Sequence, residues 1–210
     1  AGWWNTIAFT EAAKEEGLAA KNFIGDAFSN EMKADVIKYI KEEFGGKIDL
    51  LIYSLASGMR TDPKDGVTYR SALKSTKEEI VGPSINIEKD AMEETTMGVA
   101  TPEEIQSTVK VMGGEDWKLW VDALDEAGVL TDGFKTVAYS YLGPKVTYGI
   151  YKDGTIGAAK RDLEHTSDVL NDFLKKKYNG EAYVSLSKAL MTKASAVIPI
   201  FPLYAALLYR

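Results

Sequence analysis

Tyrosine and lysine side chains concentrate in residues 135–160, KTVAYSYLGPKVTYGIYKDGTIGAAK, and they are the residues best suited to do chemistry. A phenol has a reference pKa near ~10, so it is a poor acid partner at neutral pH unless a nearby ammonium stabilises its phenolate. A tyrosine beside a lysine is therefore a chemically meaningful pair.

Two such pairs are available in this stretch. Tyr148 and Lys152 are four residues apart, a spacing that places both on one face of a helix and is the usual one in dehydrogenases. Tyr151 and Lys160 are nine apart and would lie on opposite faces of a continuous helix, so they can meet only if Tyr151 precedes the helix. The turn signal at residues 153–155 favours that arrangement. Geometry leaves both pairs open, together with a third interpretation in which the tyrosines only pack against a sheet edge.

The elements that would position these side chains form an α/β pattern. Apolar runs predict strands at residues 48–55, 135–141 and 182–187, and a shorter strand at residues 21–24. Strands alternating with helices indicate a parallel sheet, which binds ligands at the carboxyl ends of its strands. The residues expected at those ends are Asp26, Ala27, Ser54, Leu55, Ala56, Tyr139, Ser140, Tyr141, Met191 and Thr192.

Helix boundaries are marked by capping residues. We predict helices from Asn5 or Thr6 to Glu16, over residues 29–44, over 101–112, over 115–127 and over 155–177. Trp117 and Trp120 are expected in the core rather than around a cofactor. Residues 58–99 are interrupted by glycine and proline, and we expect an excursion with one or two β-hairpins there.

Composition excludes several kinds of site. The net charge of −6 without clustered Lys and Arg argues against a nucleic-acid surface, and an acidic ligand would need a local basic spot. Cysteine is absent, and His165 is the only histidine, which rules out zinc sites built from several of these residues; we expect no metal. His165 is expected to be a solvated helix position. The lack of cysteine fits a reducing compartment, so we expect a cytoplasmic location.

The end of the chain is apolar. Residues 194–210 contain no charge before the last position and are interrupted by Pro199 and Pro202. This length is short for a membrane span, which needs about 20 apolar residues, so we expect a lid or pocket wall and no membrane span. No signal peptide pattern is present at the start, and the chain begins without Met, as though cut from something longer.

Several motifs in one order make the sequence recognisable. It resembles the single-chain bacterial trans-2-enoyl-CoA reductases, also described as enoyl-acyl-carrier-protein reductases, a branch of the short-chain dehydrogenase/reductase superfamily. The motifs are GDAFS at 25–29, YSLAS at 53–57, VMGGEDW at 111–117, TVAYSYLGP at 136–144, TY-x-IY-x-x-GTIG at 147–157, AK-x-DL at 159–163 and T-x-AS-x-x-IP-x-x-PLY at 192–204. Local departures are Gly58-Met59, where the family tends to have Pro-Arg, and Lys193, where it tends to have Gln.

The resemblance implies a Rossmann-like parallel sheet with helices on both faces, incomplete at its N-terminal strand, in one partial domain over residues 1–210. It also selects Tyr151 and Lys160 as the catalytic pair, because that family uses the Tyr-x8-Lys spacing. The other implied roles are an auxiliary phenol near the thioester oxygen for Tyr141, cofactor contacts for Asp26, Ala27, Ser54, Leu55, Ala56, Lys160, Thr192 and Ala194, and an acyl pocket with Ile198 and Tyr204.

The implied activity is NADH-dependent reduction of the carbon–carbon double bond of an enoyl-CoA or enoyl-acyl-carrier-protein thioester in fatty acid synthesis. We expect a monomer. The family's glycine-rich phosphate loop lies upstream of the part that these residues match, so an alternative remains: a truncated or designed module that keeps the family sequence without activity.

Overall fold

The computed structural model describes residues 2–55, 57–86, 89–141, 143, 145, 148–149 and 151–187, with residues 84–86 as backbone only. Its helices are α1 (Gly2–Glu15), α2 (Asn30–Glu43), α3 (Pro102–Met112), α4 (Glu115–Glu126) and α5 (Thr155–Tyr178). Its strands are β1 (Ile48–Tyr53), β2 (Met59–Thr61), β3 (Thr68–Arg70), β4 (Ile80–Asn86), β5 (Ala91–Met97), β6 (Leu130–Tyr141) and β7 (Glu181–Ser187).

The central sheet is parallel, with the strand order β1-β6-β7. Val137 in the middle strand pairs with Ile52 on one side and with Tyr183 on the other. Parallel neighbours require a crossover between them, and helices supply the crossovers here. The α/β class and the three long predicted strands are therefore confirmed.

One face of the sheet is packed and holds the core. Phe134 and Ala138 on β6 are fully buried, and they pack with Trp117 of α4 and Leu174 of α5. The buried hydroxyl of Thr136 is also satisfied: it accepts a hydrogen bond from the Trp117 indole (2.8 Å) and donates to the Leu51 carbonyl (3.0 Å). Burying one large apolar side chain contributes roughly 1.5–3 kcal/mol, so this face anchors the fold.

The opposite face of the sheet is open in the part of the chain that the structure describes. Leu50, Ile52, Tyr139 and Tyr183 alternate with the core residues and are each about half exposed, between 46% and 52%. Helices α4 and α5 lie against the packed face. The expected second layer of helices is thus not found among the described residues.

Most helix ends follow the predicted caps. Ser29 caps α2 by accepting a hydrogen bond from the Met32 amide (3.1 Å), and Thr101 forms a capping box with Glu104 at the start of α3. The first helix begins earlier than predicted, at Gly2, and none of its residues is buried.

The predicted strand at residues 21–24 is wrong. These residues form no ladder hydrogen bonds in the structure, and Ile24 is 83% exposed. A short apolar run resembles a strand in composition, but a strand also needs a hydrogen-bonded neighbour, and none of the described residues provides one. Asp26 and Ala27 consequently lie in a turn before α2 and not at the end of a strand.

The excursion contains two hairpins, β2–β3 and β4–β5, as predicted. The first hairpin is fixed to the core by Arg60, whose guanidinium donates to the Lys110 carbonyl (2.7 Å) and to Glu115 (3.0 Å). No helix within the described ranges has the length and apolar content that a bilayer crossing requires.

Candidate active site

Strand β6 and helix α5 meet around a cavity of about 310 Å³. Tyr141, at the carboxyl end of β6, and Tyr151, in the turn before α5, bring their rings together edge to face, with centroids 5.8 Å apart. Lys160 lines the same cavity from the second turn of α5. The three side chains implied as catalytic therefore converge on one space.

The second pair, Tyr148 and Lys152, has a different arrangement. The Lys152 ammonium lies over the Tyr148 ring, 4.7 Å from its centroid, in a cation–π contact. Helix α5 begins only at Thr155, so neither residue is helical. The four-residue spacing therefore does not place Tyr148 and Lys152 on one face of a helix. Tyr151 precedes the helix, as the turn signal predicted.

Gly157 lets the turn lie tightly on α5. A Cβ atom at this position would collide with the carbonyl oxygens of Tyr151 and Lys152, which are backbone atoms and cannot turn aside. Any larger residue would push the turn that holds Tyr151 away from the helix that holds Lys160. The second glycine of the GTIG motif is thus explained by a close backbone approach.

Residues 72–76, a segment of the excursion, form hydrogen bonds with the start of α5 and with the turn before it. The buried Thr155 hydroxyl donates to the Ala72 carbonyl, and the Thr155 amide donates to the Lys74 carbonyl (3.0 Å). In the same segment, the Thr76 hydroxyl donates a hydrogen bond to the carbonyl of Asp153, in the turn before α5 (2.5 Å). These bonds fix the turn and the helix start together.

Burial shifts the two candidate catalytic groups in opposite directions. It raises the pKa of Tyr151, and no cation among the described residues lowers that pKa, so the phenol stays protonated at neutral pH. Burial lowers the pKa of Lys160, an effect that the negative charge of Glu164 partly opposes. A protonated phenol is a hydrogen-bond donor, and this differs from the lysine-stabilised phenolate expected from the sequence.

The cavity is basic although the chain is acidic. Of the described residues, Lys152, Lys160 and Arg161 line it with positive charge and Glu164 with a carboxylate. This is the local basic spot that an acidic ligand needs, and polyphosphate groups are ligands of that kind.

A line of smaller cavities leads away from Lys160 towards the loop before α2. Lys160 shares a cavity of about 150 Å³ with Ser54 and Leu55, at the end of β1. These two residues also line a cavity of about 290 Å³ with Ala27 and Trp120. Four of the side chains implied as cofactor contacts, Ala27, Ser54, Leu55 and Lys160, thus border one groove, formed by cavities that share these lining residues and ending beside Tyr151. Asp26 is exposed next to Ala27 and does not line it.

Sequence reasoning missed several lining residues. Trp120 borders the groove as well as the core, whereas Trp117 is fully buried as predicted. Ile156, Glu164 and Leu186 line the cavity of Tyr151. The GTIG motif was a signal in the sequence for Ile156. Glu164 and Leu186 gave no such signal, because their place in the cavity depends on tertiary contacts. The predicted contacts Ala56, Thr192, Ala194, Ile198 and Tyr204 lie outside the described residues, and His165 is exposed on α5.

Comparison with known proteins gives consistent matches over the whole chain. A family profile described as "Trans-2-enoyl-CoA reductase catalytic region" matches residues 1–210. The chain is 57% identical to enoyl-acyl-carrier-protein reductase (NADH) 2 of Photobacterium profundum, over all of this chain and 52% of that protein. It is also 57% identical to the trans-2-enoyl-CoA reductase (NADH) of Clostridium beijerinckii, again over 52% of that protein. The chain spans about half the length of the curated relatives it matches.

A solved structure shares the fold closely. The trans-2-enoyl-CoA reductase of Clostridium acetobutylicum, crystallised in complex with NADH, superposes with a TM-score of 0.93 at 53% sequence identity. The superposition covers 99% of this chain and 52% of the crystallised one.

Proposed function

Because the chain belongs to the family described as the trans-2-enoyl-CoA reductase catalytic region, we propose that the protein containing it reduces the carbon–carbon double bond of trans-2-enoyl thioesters with NADH. The thioester is carried by coenzyme A or by an acyl-carrier protein, the two carriers in the names of its relatives. The observation that supports this proposal most directly is the convergence of Tyr141, Tyr151 and Lys160 on one basic cavity.

The groove from Ala27 to Lys160 fits an extended dinucleotide. Ala27, with its small side chain, would lie at the adenine, with Asp26 beside it at the outer edge, Ser54 and Leu55 along the middle, and Lys160 at the ribose near the reacting end. When bound, NADH supplies a hydride to the β-carbon of the unsaturated thioester.

Tyr151 acts on the oxygen of the thioester. Negative charge develops there as the double bond is reduced, and a phenol that burial keeps protonated can donate a hydrogen bond to that charge and then a proton to the enolate. Tyr141, whose ring meets the edge of Tyr151, is the auxiliary phenol at the same oxygen. Desolvation strengthens both hydrogen bonds, because charge is poorly screened in a partly buried site.

Lys160 holds the polar end of the site. Its ammonium makes no hydrogen bond or ion pair to any of the described residues, so its three donors are available to ribose hydroxyls and to the phenol. Lys152 and Arg161 add positive charge along the rim, where phosphate groups of either ligand would pass.

The decisive experiment compares two tyrosines that lie three residues apart. In the protein as encoded in full, Tyr151→Phe should lower kcat at least ~100-fold, the ordinary contribution of a positioned general acid. Tyr148→Phe, which keeps the ring under Lys152, should change kcat less than about threefold. Loss of NADH absorbance with crotonyl-CoA measures both rates, and circular dichroism checks that both variants fold.

The same pair of variants separates the alternatives. Activity that survives Tyr151→Phe but not Tyr148→Phe would support the Tyr148–Lys152 pair acting on a different substrate. A cooperatively folded wild-type protein with no turnover would support the non-catalytic module. We also propose a cytoplasmic location, from the lack of cysteine, and, separately, a monomer; cell fractionation tests the first point and light scattering the second.

A further inference from the structure

The loop before α2 is internally ordered, with Asp26 exposed and Phe28 buried. The Asp26 carboxylate accepts a hydrogen bond from the Phe28 amide (3.0 Å), and the Asp26 carbonyl accepts one from the Ser29 amide (3.1 Å). These bonds shape the turn locally. They do not fix its distance from the end of β1, which forms the other wall of the groove.

Two side chains from helices donate hydrogen bonds to backbone carbonyl groups of this loop. Lys33 of α2 donates to the Phe28 carbonyl (2.7 Å), and the Trp120 indole of α4 donates to the Ala27 carbonyl (3.1 Å). The Lys33 ammonium also lies 5.2 Å from the centre of the Trp120 ring. The loop is therefore attached to α4 both directly and through Lys33.

Asp116, in the first turn of α4, joins that attachment to the other wall. One carboxylate oxygen accepts a hydrogen bond from the Lys33 ammonium (2.9 Å), and the other accepts one from the Tyr53 hydroxyl (3.2 Å). Tyr53 is the last residue of β1 and immediately precedes Ser54 and Leu55. A single carboxylate thus connects the loop wall to the strand wall.

The burial of this bridge makes its geometry rigid. Lys33 is 4% exposed and Asp116 is 2% exposed, so water cannot replace either partner. The two oxygens of a carboxylate have a fixed separation, and both are occupied by partners on opposite walls. A shift of Asp116 would consequently change the width of the cavity between Ala27 and Leu55.

We propose that Asp116 is a positioning residue that sets the width of the Ala27 cavity for the flat base of the dinucleotide, one carboxylate oxygen acting on each wall. The inference rests on the proposed function, because it takes the base to lie against Ala27. Asp116 itself does not line the cavity and acts through Lys33 and Tyr53.

The test measures NADH affinity separately from turnover. In the protein as encoded in full, Asp116→Ala should raise the NADH dissociation constant about tenfold, while kcat at saturating NADH and the KM for crotonyl-CoA change less than about threefold. Asp116→Asn keeps one acceptor oxygen for the Lys33 ammonium, and its amide NH2 can donate to the oxygen of the Tyr53 hydroxyl, so it should restore most of the affinity. The control is Asp122→Asn on the same helix, a residue that pairs with Lys118 at the surface.

Tyr53→Phe is a milder variant that tests the strand wall should Asp116→Ala fail to fold. It removes one hydroxyl and should raise the NADH dissociation constant about threefold. Hydrogen exchange of the ligand-free protein provides a second measurement: amides of residues 25–33 should exchange faster in Asp116→Ala than in the Asp122→Asn control.

The outcomes are distinguishable. A lower melting temperature with unchanged NADH affinity in every variant would overturn the inference, because Asp116 would then be structural only. Wild-type protein that binds no NADH would overturn it too. Wild-type protein that binds NADH but reduces no enoyl thioester would contradict the proposed function alone, and the affinity comparison would still decide the role of Asp116.

Discussion

Two sets of cations among the described residues differ in their partners. Arg60 and Lys110 belong to a network in which Lys110 donates to Asp62 (2.8 Å) and to Glu115 (2.9 Å). Lys160 lines its cavity without a hydrogen bond or ion pair to any described residue, and Glu164 is the charge within the described ranges that raises its pKa.

The difference appears in the direction of the pKa shifts. Burial would lower the pKa of Lys110, but hydrogen bonds to Asp62 and Glu115 outweigh it and raise that pKa. At Lys160 burial prevails and the pKa is lowered. A cation whose charge is matched within the fold stabilises the fold, whereas one left unmatched in a cavity is available to a ligand.

The largest expected effect is on the unmatched lysine. Lys160→Met should lower kcat/KM about 1,000-fold, because it removes the ammonium from both the ribose site and the neighbourhood of the phenol. The melting temperature should not fall, since no described residue depends on that ammonium. Lys176→Met, at an exposed position of the same helix, is the control, and the comparison fails if both variants lose activity equally.

Removing a cation whose charge is matched within the fold should lower the stability and leave the activity nearly unchanged. Arg60→Met should lower the free energy of unfolding by about 3 kcal/mol, the lower part of the range for breaking a buried ion pair, because Asp62 keeps its bond to Lys110. The kcat of the folded enzyme should change little. Urea denaturation measures the effect, with Arg70→Met on the exposed side of the same hairpin as the control. A variant as stable as the wild type would place Arg60 outside the stabilising network.

Acid should weaken the same network. Burial alone would raise the pKa of the Asp62 and Glu115 carboxyls, but hydrogen bonds from Lys110 and the charge of Arg60 lower both. Their folded pKa values lie below the unfolded ones, so the stabilisation is complete above about pH 5 and is lost as the pH falls through the folded values.

Denaturation curves between pH 2 and pH 5 measure this loss. Asp62→Asn should be less stable at neutral pH and should lose less stability on acidification than the wild type. Parallel curves for the two proteins would show that this carboxylate does not contribute.

The smallest effect concerns Glu164, the acidic side chain that lines the cavity of Lys160. Glu164→Gln removes a charge that raises the Lys160 pKa, so the alkaline decline of kcat/KM should move to lower pH. The shift is assigned to Lys160 because burial raises the pKa of Tyr151 and delays its ionisation. Asp168→Asn, exposed on the same helix, should leave the decline unchanged.

Local signals in the sequence predicted what depends on neighbours along the chain. The capping box at Thr101 and the turn at Gly154 were readable because each needs only a few adjacent residues. The turn at Gly154 also predicted that Tyr151 precedes α5, the helix that carries Lys160. The choice between the two tyrosine–lysine pairs required the family spacing, because periodicity allowed both.

Long-range contacts were not predictable from the sequence. Asp116 reads as an ordinary acid in the first turn of a helix, yet it joins Lys33 and Tyr53, which are 83 and 63 residues away. The supposed strand at residues 21–24 was wrong for a related reason, since strand pairing depends on a distant partner. Trp120 reads as a core residue, and only the fold shows that its edge borders a cavity.

The alternation of buried and exposed side chains along β6 affects the solubility of this polypeptide. Leu50, Ile52, Tyr139 and Tyr183 form an apolar sheet surface beside β1, an edge strand of the described sheet. Apolar surfaces next to unpaired strand edges template aggregation. These 210 residues produced by themselves should therefore precipitate readily, and lysine substituted at Ile52 should improve the soluble yield without disturbing the packed core.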